Sequence, residues 1–277
     1  MTQKPILPNS ERKKTMTDLG MPTLIEIPEP KDCAALCAEL GLQFVELNMN
    51  MPQYQIHSLD ADRLAALAEK YGIYYTIHLD ENLNVSDFNP HVAEAYLETV
   101  RETVHIARRL HIPVLNMHLS QGVYFTLPDR RVYLFDTYSG QYLQSLLYFR
   151  EECERQIGSC GLRICVENSS GYTDFQRQAL ALLLESPVFA LTFDIGHNHC
   201  VGGGDESVIL QHADRLCHFH FHDAAGKKDH LPLGTGEIEL SKYLRLAHQT
   251  DSRIVLETKT VSGLRESVGW MRRAARS

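Results

Sequence analysis

The feature that most constrains the fold of this chain is an alternation of short apolar runs with segments of helical periodicity. The runs are rich in β-branched and aromatic residues, which is typical of buried strands. Eight runs fit this description: Thr23–Ile27, Phe44–Leu47, Ile73–Leu79, Val114–Leu119, Leu162–Glu167, Phe189–Phe193, Leu216–His222 and Ile254–Thr258. We therefore predict eight strands.

The segments between these runs carry the spacing of amphipathic helices. In Asp60–Tyr71 the apolar residues fall on one helical face, Asp60 is suited to cap the first turn, and Gly72 follows the last turn. Asn89 and Pro90 predict the start of another helix in the same way. Further helices are predicted at Gln141–Ile157, Thr173–Glu185, Asp205–His212 and Leu240–Ala247.

This order of elements in a chain of 277 residues predicts a (β/α)8 TIM barrel, a single domain of the α/β class. An open, doubly wound sheet is the alternative, but the sequence has none of the glycine-rich loops that bind nucleotides in such sheets. We place the barrel at residues 21–277 and expect residues 1–20 to form a polar, mobile N-terminal segment. The long connection Gln121–Gly140 is expected to act as a lid or as a subunit contact. The second role would imply that the protein forms a homo-oligomer.

The composition of the chain argues against nucleic acid and membranes as binding partners. Asp and Glu number 35 against 27 Lys and Arg, which gives a net charge of −8 and disfavours tight binding of nucleic acid. No apolar run approaches the ~20 residues of a membrane span, and the first residues are too polar for a signal peptide. The seven cysteines include no C-x-x-C pair, which favours reduced thiols. We therefore expect a soluble, cytoplasmic protein.

Acidic residues and histidines stand where the predicted strands end. In a TIM barrel the C-terminal ends of the strands surround the site of chemistry, and alternate residues of a strand face the interior. In the run Leu216–His222 this parity turns Cys217 outwards and the histidines inwards. Across six runs it directs the following side chains at one volume: His78, His118, Glu167, Asp194, His220 and Glu257.

Three carboxylates and one imidazole of this set predict a metal site. They come from separate strands, and they could not all stay buried and charged without a cation. The four residues are Glu167, Asp194, His220 and Glu257. A donor set of three oxygens and one nitrogen suits Mn²⁺ best, with Mg²⁺ and Co²⁺ also fitting, whereas zinc is compatible but is not signalled by any cysteine ligand. We predict one divalent ion.

At these residues the sequence resembles the xylose isomerase-like barrel superfamily, which contains sugar and sugar phosphate isomerases and epimerases, inosose dehydratases and apurinic endonucleases of the endonuclease IV type. The resemblance covers about Gly41 to Glu257 and rests on motifs in a fixed order: G-L-Q-F-V-E-L-N, V-E-N at Glu167, F-D-I-G-H at Asp194, H-F-H-D at His220, H-L-P-L-G-T-G-E-I at His230 and V-L-E-T at Glu257. It implies that the four residues above hold the metal. It also implies that His197 and His230 lie close to the substrate, and we add His78 and His118 to the substrate-binding set.

One departure from the endonuclease pattern and the net charge of the chain favour one branch of this superfamily over another. The apurinic endonucleases carry three zinc ions, and the additional ligands have counterparts here in His78, His118, His197 and His230. Those enzymes have an Asp two residues before the final His, however, where this chain has Lys228, and Asp229 lies directly beside His230. The acidic net charge also fits DNA poorly. The sugar branch is therefore favoured.

The expected activity is metal-dependent isomerisation or epimerisation of a small carbohydrate: a sugar, a sugar phosphate or a cyclic polyol. A bound metal would acidify the C–H beside a substrate carbonyl, and Glu167 and Glu257 would remove and return the proton. Alternatives are an endonuclease IV-like phosphodiesterase acting on abasic DNA, an inosose dehydratase-like lyase, and a non-catalytic sugar-binding barrel. One ion per chain favours the sugar branch, about three the nuclease, and none the binding protein.

Overall fold

A computed structural model describes residues 17–275, and in this part of the chain eight parallel strands close into a barrel. The strands are β1 (Leu19–Pro22), β2 (Phe44–Asn48), β3 (Tyr74–His78), β4 (Val114–His118), β5 (Arg163–Glu167), β6 (Phe189–Asp194), β7 (Leu216–Phe221) and β8 (Arg253–Leu256). Each strand pairs with its neighbour in the chain, and β8 pairs with β1. The predicted (β/α)8 architecture is confirmed.

Helices follow the strands and cover the outside of the barrel. They are α1 (Pro30–Glu39), α2 (Ala61–Tyr71), α3 (Pro90–Arg109), α4 (Ser139–Ile157), α5 (Asp174–Leu184), α6 (Glu206–Gln211), α7 (Leu240–Gln249) and α8 (Val261–Ala274). Short helical segments lie at Pro52–Tyr54, Leu134–Thr137, Ile195–Cys200 and Ala213–Arg215. The sequence patterns did not single out α1 or α8. Within residues 17–275, no helix is long and apolar enough to cross a lipid bilayer.

The helix starts read from the sequence are confirmed by their caps. The Asp60 side chain accepts a hydrogen bond from the backbone N–H of Arg63 at 3.0 Å, and Gly72 ends α2 in the left-handed region with φ 67°. Asn89 likewise accepts from the N–H of His91 at 3.1 Å, with Pro90 in the first turn of α3. These contacts satisfy backbone donors that a helix terminus leaves free.

The first strand is a correction to the sequence prediction. The run Thr23–Ile27 is not a strand; β1 lies just before it, two residues ahead of the predicted start of the barrel, and Ile27 N–H donates to the Leu24 carbonyl in a turn. The sequence pattern did not predict β1 because the strand contains Gly20 and Pro22, and both residue types are depleted in strands. A Cβ at Gly20 would lie 2.4 Å from the Phe44 ring, so glycine is required there. Residues 1–16 of the predicted mobile segment lie outside the described residues.

The predicted outward direction of Cys217 is also wrong. The register between β6 and β7 shifts, pairing Leu191 with Leu216 and Thr192 with His218, which makes Cys217 an extra residue in β7. Such a bulge changes which side of the sheet a residue faces. Cys217 Sγ accordingly lies 3.3 Å from Cys165 Sγ, in a small apolar layer at the lower end of the barrel.

The connection Gln121–Gly140 contains an antiparallel hairpin of Tyr124–Thr126 and Arg131–Tyr133. Phe125 on this hairpin is exposed, whereas Phe135, which follows the hairpin, is buried and packs against Tyr142 of α4 and Phe175 of α5. A second hairpin, Asp223–Ala225 with Lys228–Leu231, follows β7 at the site end. The lid and subunit-contact interpretations of the first hairpin stay predictions.

A buried carboxylate joins α3 to α4. Glu152 accepts hydrogen bonds from Gln156 Nε2 at 3.0 Å and from Arg155 Nη1 at 2.7 Å, and Arg101 Nη2 lies 3.4 Å away. The hydrogen bond from Gln156, together with those from the two arginines, lowers the pKa of Glu152 to about 2 against the opposing effect of burial. The ionised carboxylate therefore stabilises this helix pair.

Replacing this carboxylate should make stability less dependent on pH. We expect Glu152→Gln to lower the free energy of unfolding by about 1–3 kcal/mol at pH 7, the range for hydrogen bonds to charged groups. Because the folded-state pKa of Glu152 is below the ordinary 4.5, its contribution is present above that pH and is lost as pH falls towards 2. Urea titrations should therefore show a smaller difference from wild type at pH 3 than at pH 7. An equal difference at both, or an equal effect of Glu151→Gln at an exposed neighbour, would contradict this account.

Candidate metal centre

The strand register brings the predicted ligands together. Asp194 pairs with His220 across β6 and β7, Glu167 ends β5, and Glu257 directly follows β8, with its N–H bonded to the Phe221 carbonyl at 2.9 Å. One donor atom from each of the four residues lies within 4.8 Å of the donors of the other three. The convergence predicted from parity is therefore observed in the geometry.

The His220 ring shows which of its nitrogens faces this centre. Nδ1 lies 2.9 Å from Glu257 Oε2, 3.2 Å from Glu167 Oε1 and 3.9 Å from Asp194 Oδ2. The opposite nitrogen, Nε2, lies 2.8 Å from Glu46 Oε1, below the centre. His220 is therefore held between two acidic regions, with Nδ1 as the donor available to an ion.

The electrostatics keep the carboxylates ionised. Burial acts to raise the pKa of Glu167, but the imidazoles of His220 and His118 lower it well below its usual range. Burial likewise opposes ionisation of Glu257, while His220, His230 and Lys259 lower its pKa. In this structure positive charge on imidazoles compensates the carboxylates, and a divalent cation could replace that charge.

His78 and His118, predicted to bind substrate, both contact Glu167. Their Nε2 atoms lie 3.4 Å and 3.1 Å from Glu167 Oε2. Burial acts to lower the pKa of His78, but contact with Glu167 raises it to about 9. These three residues also form a group that could hold an ion themselves.

His197 and His230, the other predicted substrate contacts, lie beside Asp194 and Glu257, and His197 also approaches Glu167. His197 Nδ1 is 3.3 Å from Asp194 Oδ2, and His230 Nε2 is 3.3 Å from Glu257 Oε1. Both side chains are 16–17% exposed, as His118 is at 18%, whereas the His220 side chain has no exposure. Histidines at the rim can therefore reach a ligand while His220 cannot reach solvent.

Several polar residues that the sequence prediction did not assign hold the centre in place. Asn168, next to Glu167 in the V-E-N motif, bonds both the N–H and the carbonyl of Asp194 at 2.9 Å. Asn116 donates to Glu167 Oε2, and Lys259 Nζ contacts Glu257 Oε1 at 2.9 Å. Strand parity already turned Asn116 inwards, but no sequence pattern indicated Lys259.

The Trp270 ring and the Asp223 carboxylate explain the two glycines of the H-L-P-L-G-T-G-E-I motif, since Gly234 has a φ of 83° and a Cβ there would lie 2.6 Å from Trp270. Asp223 accepts hydrogen bonds from the N–H groups of Gly234, Gly236 and Ile238 at 2.9 to 3.1 Å. A Cβ at Gly236 would lie 2.4 Å from the Asp223 carboxylate. These three hydrogen bonds to Asp223 fix the conformation of the loop that follows His230.

Glu46 lies beneath the centre and binds two imidazoles. Its Oε2 accepts from Thr76 Oγ1 at 2.8 Å and contacts His218 Nε2 at 3.0 Å, while Oε1 faces His220 Nε2. Despite complete burial, the neighbouring His220 and His218 lower the pKa of Glu46. Glu46 thus orients the ring of a candidate ligand, as carboxylates commonly do behind metal-binding histidines.

With the geometry established, comparison with known proteins assigns the family. A model of the xylose isomerase-like TIM barrel family matches residues 34–274, and the chain belongs to that family. It is similar to a solved D-tagatose 3-epimerase-like protein at a TM-score of 0.77, with 21% identity over 94% of this chain and 97% of the other. It is also similar to D-allulose 3-epimerase from Methylomonas sp., solved with D-allulose, at 0.69, with 15% identity and coverage of 94% and 97%. At these identities the likeness establishes the fold.

A curated relative carries no described activity. An uncharacterised protein of Methanocaldococcus jannaschii is 24% identical over 204 residues, which span 72% of this chain and 76% of the relative. A second uncharacterised protein of that organism is 22% identical over 241 residues, 83% of either chain. The chemistry must therefore be argued from the site itself.

The role of Glu46 can be tested without any metal. We expect Glu46→Gln to lower the free energy of unfolding by about 1–3 kcal/mol, because an amide N–H₂ cannot accept from an imidazole and leaves a buried donor unpaired. The measurement is urea denaturation in the presence of a chelator. Glu239→Gln is the control, since that side chain is 74% exposed and should change stability little. Equal stability of the two variants would show that Glu46 does not hold the imidazoles.

Proposed function

We propose that this chain is a divalent-metal-dependent isomerase or epimerase of a small carbohydrate. The observation that carries the proposal is the convergence of three carboxylates and one imidazole on one volume at the C-terminal end of the barrel. Solved proteins of similar fold include a D-tagatose 3-epimerase-like protein, a D-allulose 3-epimerase and an L-ribulose 3-epimerase. A sugar as substrate is consistent with the partly exposed histidines around the centre, which offer hydrogen bonds to hydroxyl groups.

The donor set fits a hard divalent ion. Glu167, Asp194, His220 and Glu257 would hold it, and Mn²⁺, Mg²⁺ and Co²⁺ all accept such ligands, with Zn²⁺ also compatible. Glu257 Oε2 is buried, makes no well-aligned hydrogen bond and faces His220 Nδ1 at 2.9 Å, so these two atoms could share a cation. When bound, the metal would polarise a substrate carbonyl and acidify the neighbouring C–H. We infer that the site binds one divalent ion, and Mn²⁺ is the candidate that we favour.

Glu167 and Glu257 are the proposed proton carriers. They reach the centre from separate strands, β5 and the end of β8, so they can approach a substrate carbon from different directions. Both are ionised by the surrounding positive groups and can accept a proton. Glu257 Oε1 also touches His230, whose partial exposure gives a route for proton exchange with solvent.

The rim histidines would bind and orient the substrate. His118, His197 and His230 present ring nitrogens at the opening, where they can form hydrogen bonds with substrate hydroxyl groups. The buried His78 supports Glu167 from behind. Two hydroxyl groups held in this way would fix which substrate carbon faces the carboxylates.

A specific observation also supports a second candidate, a phosphodiesterase with several metal ions. Further ligand groups lie next to the centre, one of them formed by His78, His118 and Glu167. Such hydrolases use clustered ions to generate hydroxide and stabilise the leaving oxygen. The net charge of −8 opposes DNA as substrate. A lyase that removes water beside a carbonyl would use the same centre and is a variant of the first proposal.

The two candidates are separated by metal content and substrate. We expect about one Mn²⁺, Mg²⁺ or Co²⁺ per chain by elemental mass spectrometry, and turnover of one member of a panel of ketoses, sugar phosphates and inososes. His220→Ala should lose most of the metal while keeping the circular dichroism of the fold, because the side chain ends a strand and is not part of the packing against the helices. Unchanged metal content in that variant would refute the ligand assignment. About three ions with incision of abasic duplex DNA would refute the sugar assignment.

The paired glutamates predict the course of proton transfer. With metal saturating, Glu167→Gln and Glu257→Gln should each reduce turnover at least ~100-fold, because neither amide can accept the substrate proton. In deuterated water, a variant lacking only the returning acid should still exchange the substrate proton without completing the reaction. The variant lacking the initial base should do neither. Wild-type turnover with no deuterium in the product would contradict proton transfer through these carboxylates.

A further inference from the structure

His222 is a buried histidine beside the centre to which no role has yet been assigned. It follows His220 by two residues, so its ring turns to the same side of the barrel, and it has no solvent exposure. The ring lies directly over Gly196, where a Cβ would be 1.9 Å from His222 Cε1. The glycine of the F-D-I-G-H motif is thus required by the ring of His222.

The hydrogen bonds of His222 define its tautomer. Nδ1 accepts the backbone N–H of His230 at 2.8 Å, so this nitrogen carries no proton. The proton is therefore on Nε2, which lies 3.0 Å from Asp194 Oδ2 and donates to it. Both nitrogens of the ring are occupied by protein groups.

Because both nitrogens of His222 are engaged by protein groups, the residue can be judged either as a metal ligand or as a group that supports a ligand. By distance alone, His222 forms a group with His197 and His230 that could ligate an ion. A ligand needs an unprotonated nitrogen turned to the metal, however, and the only unprotonated nitrogen of His222 is taken by the His230 N–H. The ring is therefore better suited to support a ligand than to be one.

The supported ligand is Asp194. Its Oδ1 accepts the N–H of His197 at 2.6 Å, and its Oδ2 receives the hydrogen bond from His222. A carboxylate oxygen has two lone pairs, so Oδ2 can accept from His222 and still face the centre, where His220 Nδ1 lies 3.9 Å away. Together these donors fix the rotation of the Asp194 carboxylate.

We propose that His222 is a positioning residue that orients Asp194 for metal binding and joins it to the hairpin carrying His230; this inference rests on the proposed metal-dependent function. The joint has two parts. One is the hydrogen bond from the His230 N–H, and the other is the stacking of the two rings, whose centroids are 4.2 Å apart at 7°. His230 has a positive φ of 52°, a conformation that needs such support in a residue other than glycine.

The test measures metal affinity and ligand geometry rather than turnover. His222→Leu removes the donor to Asp194, and we expect it to weaken Mn²⁺ binding by about 10–100-fold, the usual cost of losing a group that orients a ligand. His222→Gln keeps an N–H donor at the end of the side chain and should bind Mn²⁺ closer to wild type. The absorption spectrum of the Co²⁺-loaded protein should change in His222→Leu, because the position of the Asp194 oxygen changes. A purely structural role would lower stability without moving either readout.

A second variant keeps the test decisive if His222→Leu does not fold. Gly196 does not adopt a positive φ, so Gly196→Ala is tolerated by the backbone, but its methyl group displaces the intact ring. It should weaken Mn²⁺ binding as His222→Leu does. His105→Leu, a change of an exposed histidine on α3, is the matched control and should bind as wild type.

The outcomes separate this inference from the proposed function. Wild-type affinity and an unchanged Co²⁺ spectrum in His222→Leu, or in Gly196→Ala if the former does not fold, would overturn the positioning role. If these variants bind Mn²⁺ more weakly but the wild type turns over no sugar, the positioning role of His222 is supported and the proposed reaction is refuted. A wild-type protein that binds no divalent ion would overturn both.

Discussion

The constraint that shapes one end of this barrel is the burial of acidic side chains, whose negative charge must be compensated by neighbouring groups. Glu46, Glu167 and Asp194 are at most 2% exposed, and an isolated carboxylate in such surroundings would be protonated or would destabilise the fold. Here every carboxylate has at least one imidazole as a neighbour, and His220 touches all three of them. Removing one member of such a set leaves the others uncompensated, which explains why so many histidines are concentrated at this end of the barrel.

This constraint also orders the barrel interior into layers. A small apolar layer that includes Cys165 and Cys217 fills the lower end. Above it, buried polar side chains bond one another across strands, as Thr192 Oγ1 does with Asn116 Oδ1 at 2.5 Å. Asn116 in turn reaches Glu167. The polar layer therefore connects the packed base of the barrel to the candidate centre and helps to orient the carboxylates there.

Sequence reasoning located the candidate centre because strand parity is rigid and the ends of parallel strands meet. It failed where the regular period breaks: β1 contains Gly20 and Pro22, and the bulge at Cys217 reverses the direction of that side chain. The roles of Glu46 and Lys259 depend on distances across the barrel, which no local pattern contains. The sequence could predict which side chains converge on the candidate centre, whereas the groups that orient them required the three-dimensional register.

The nitrogens of the rim histidines also bear on how many ions the chain can hold. Both nitrogens of His222 are engaged, so the group with His197 and His230 lacks a third free donor. Asp229 lies beside this group, because its Oδ1 is 2.9 Å from His230 Nδ1 and its Oδ2 is 4.0 Å from His197 Nε2, so its carboxylate could take the place of His222. A further ion on this side would therefore depend on Asp229 and not on His222. The group of Glu167, Asp194, His220 and Glu257 needs no such substitute, since one donor atom from each residue already lies within 4.8 Å of the other three, and for this reason we propose one ion there.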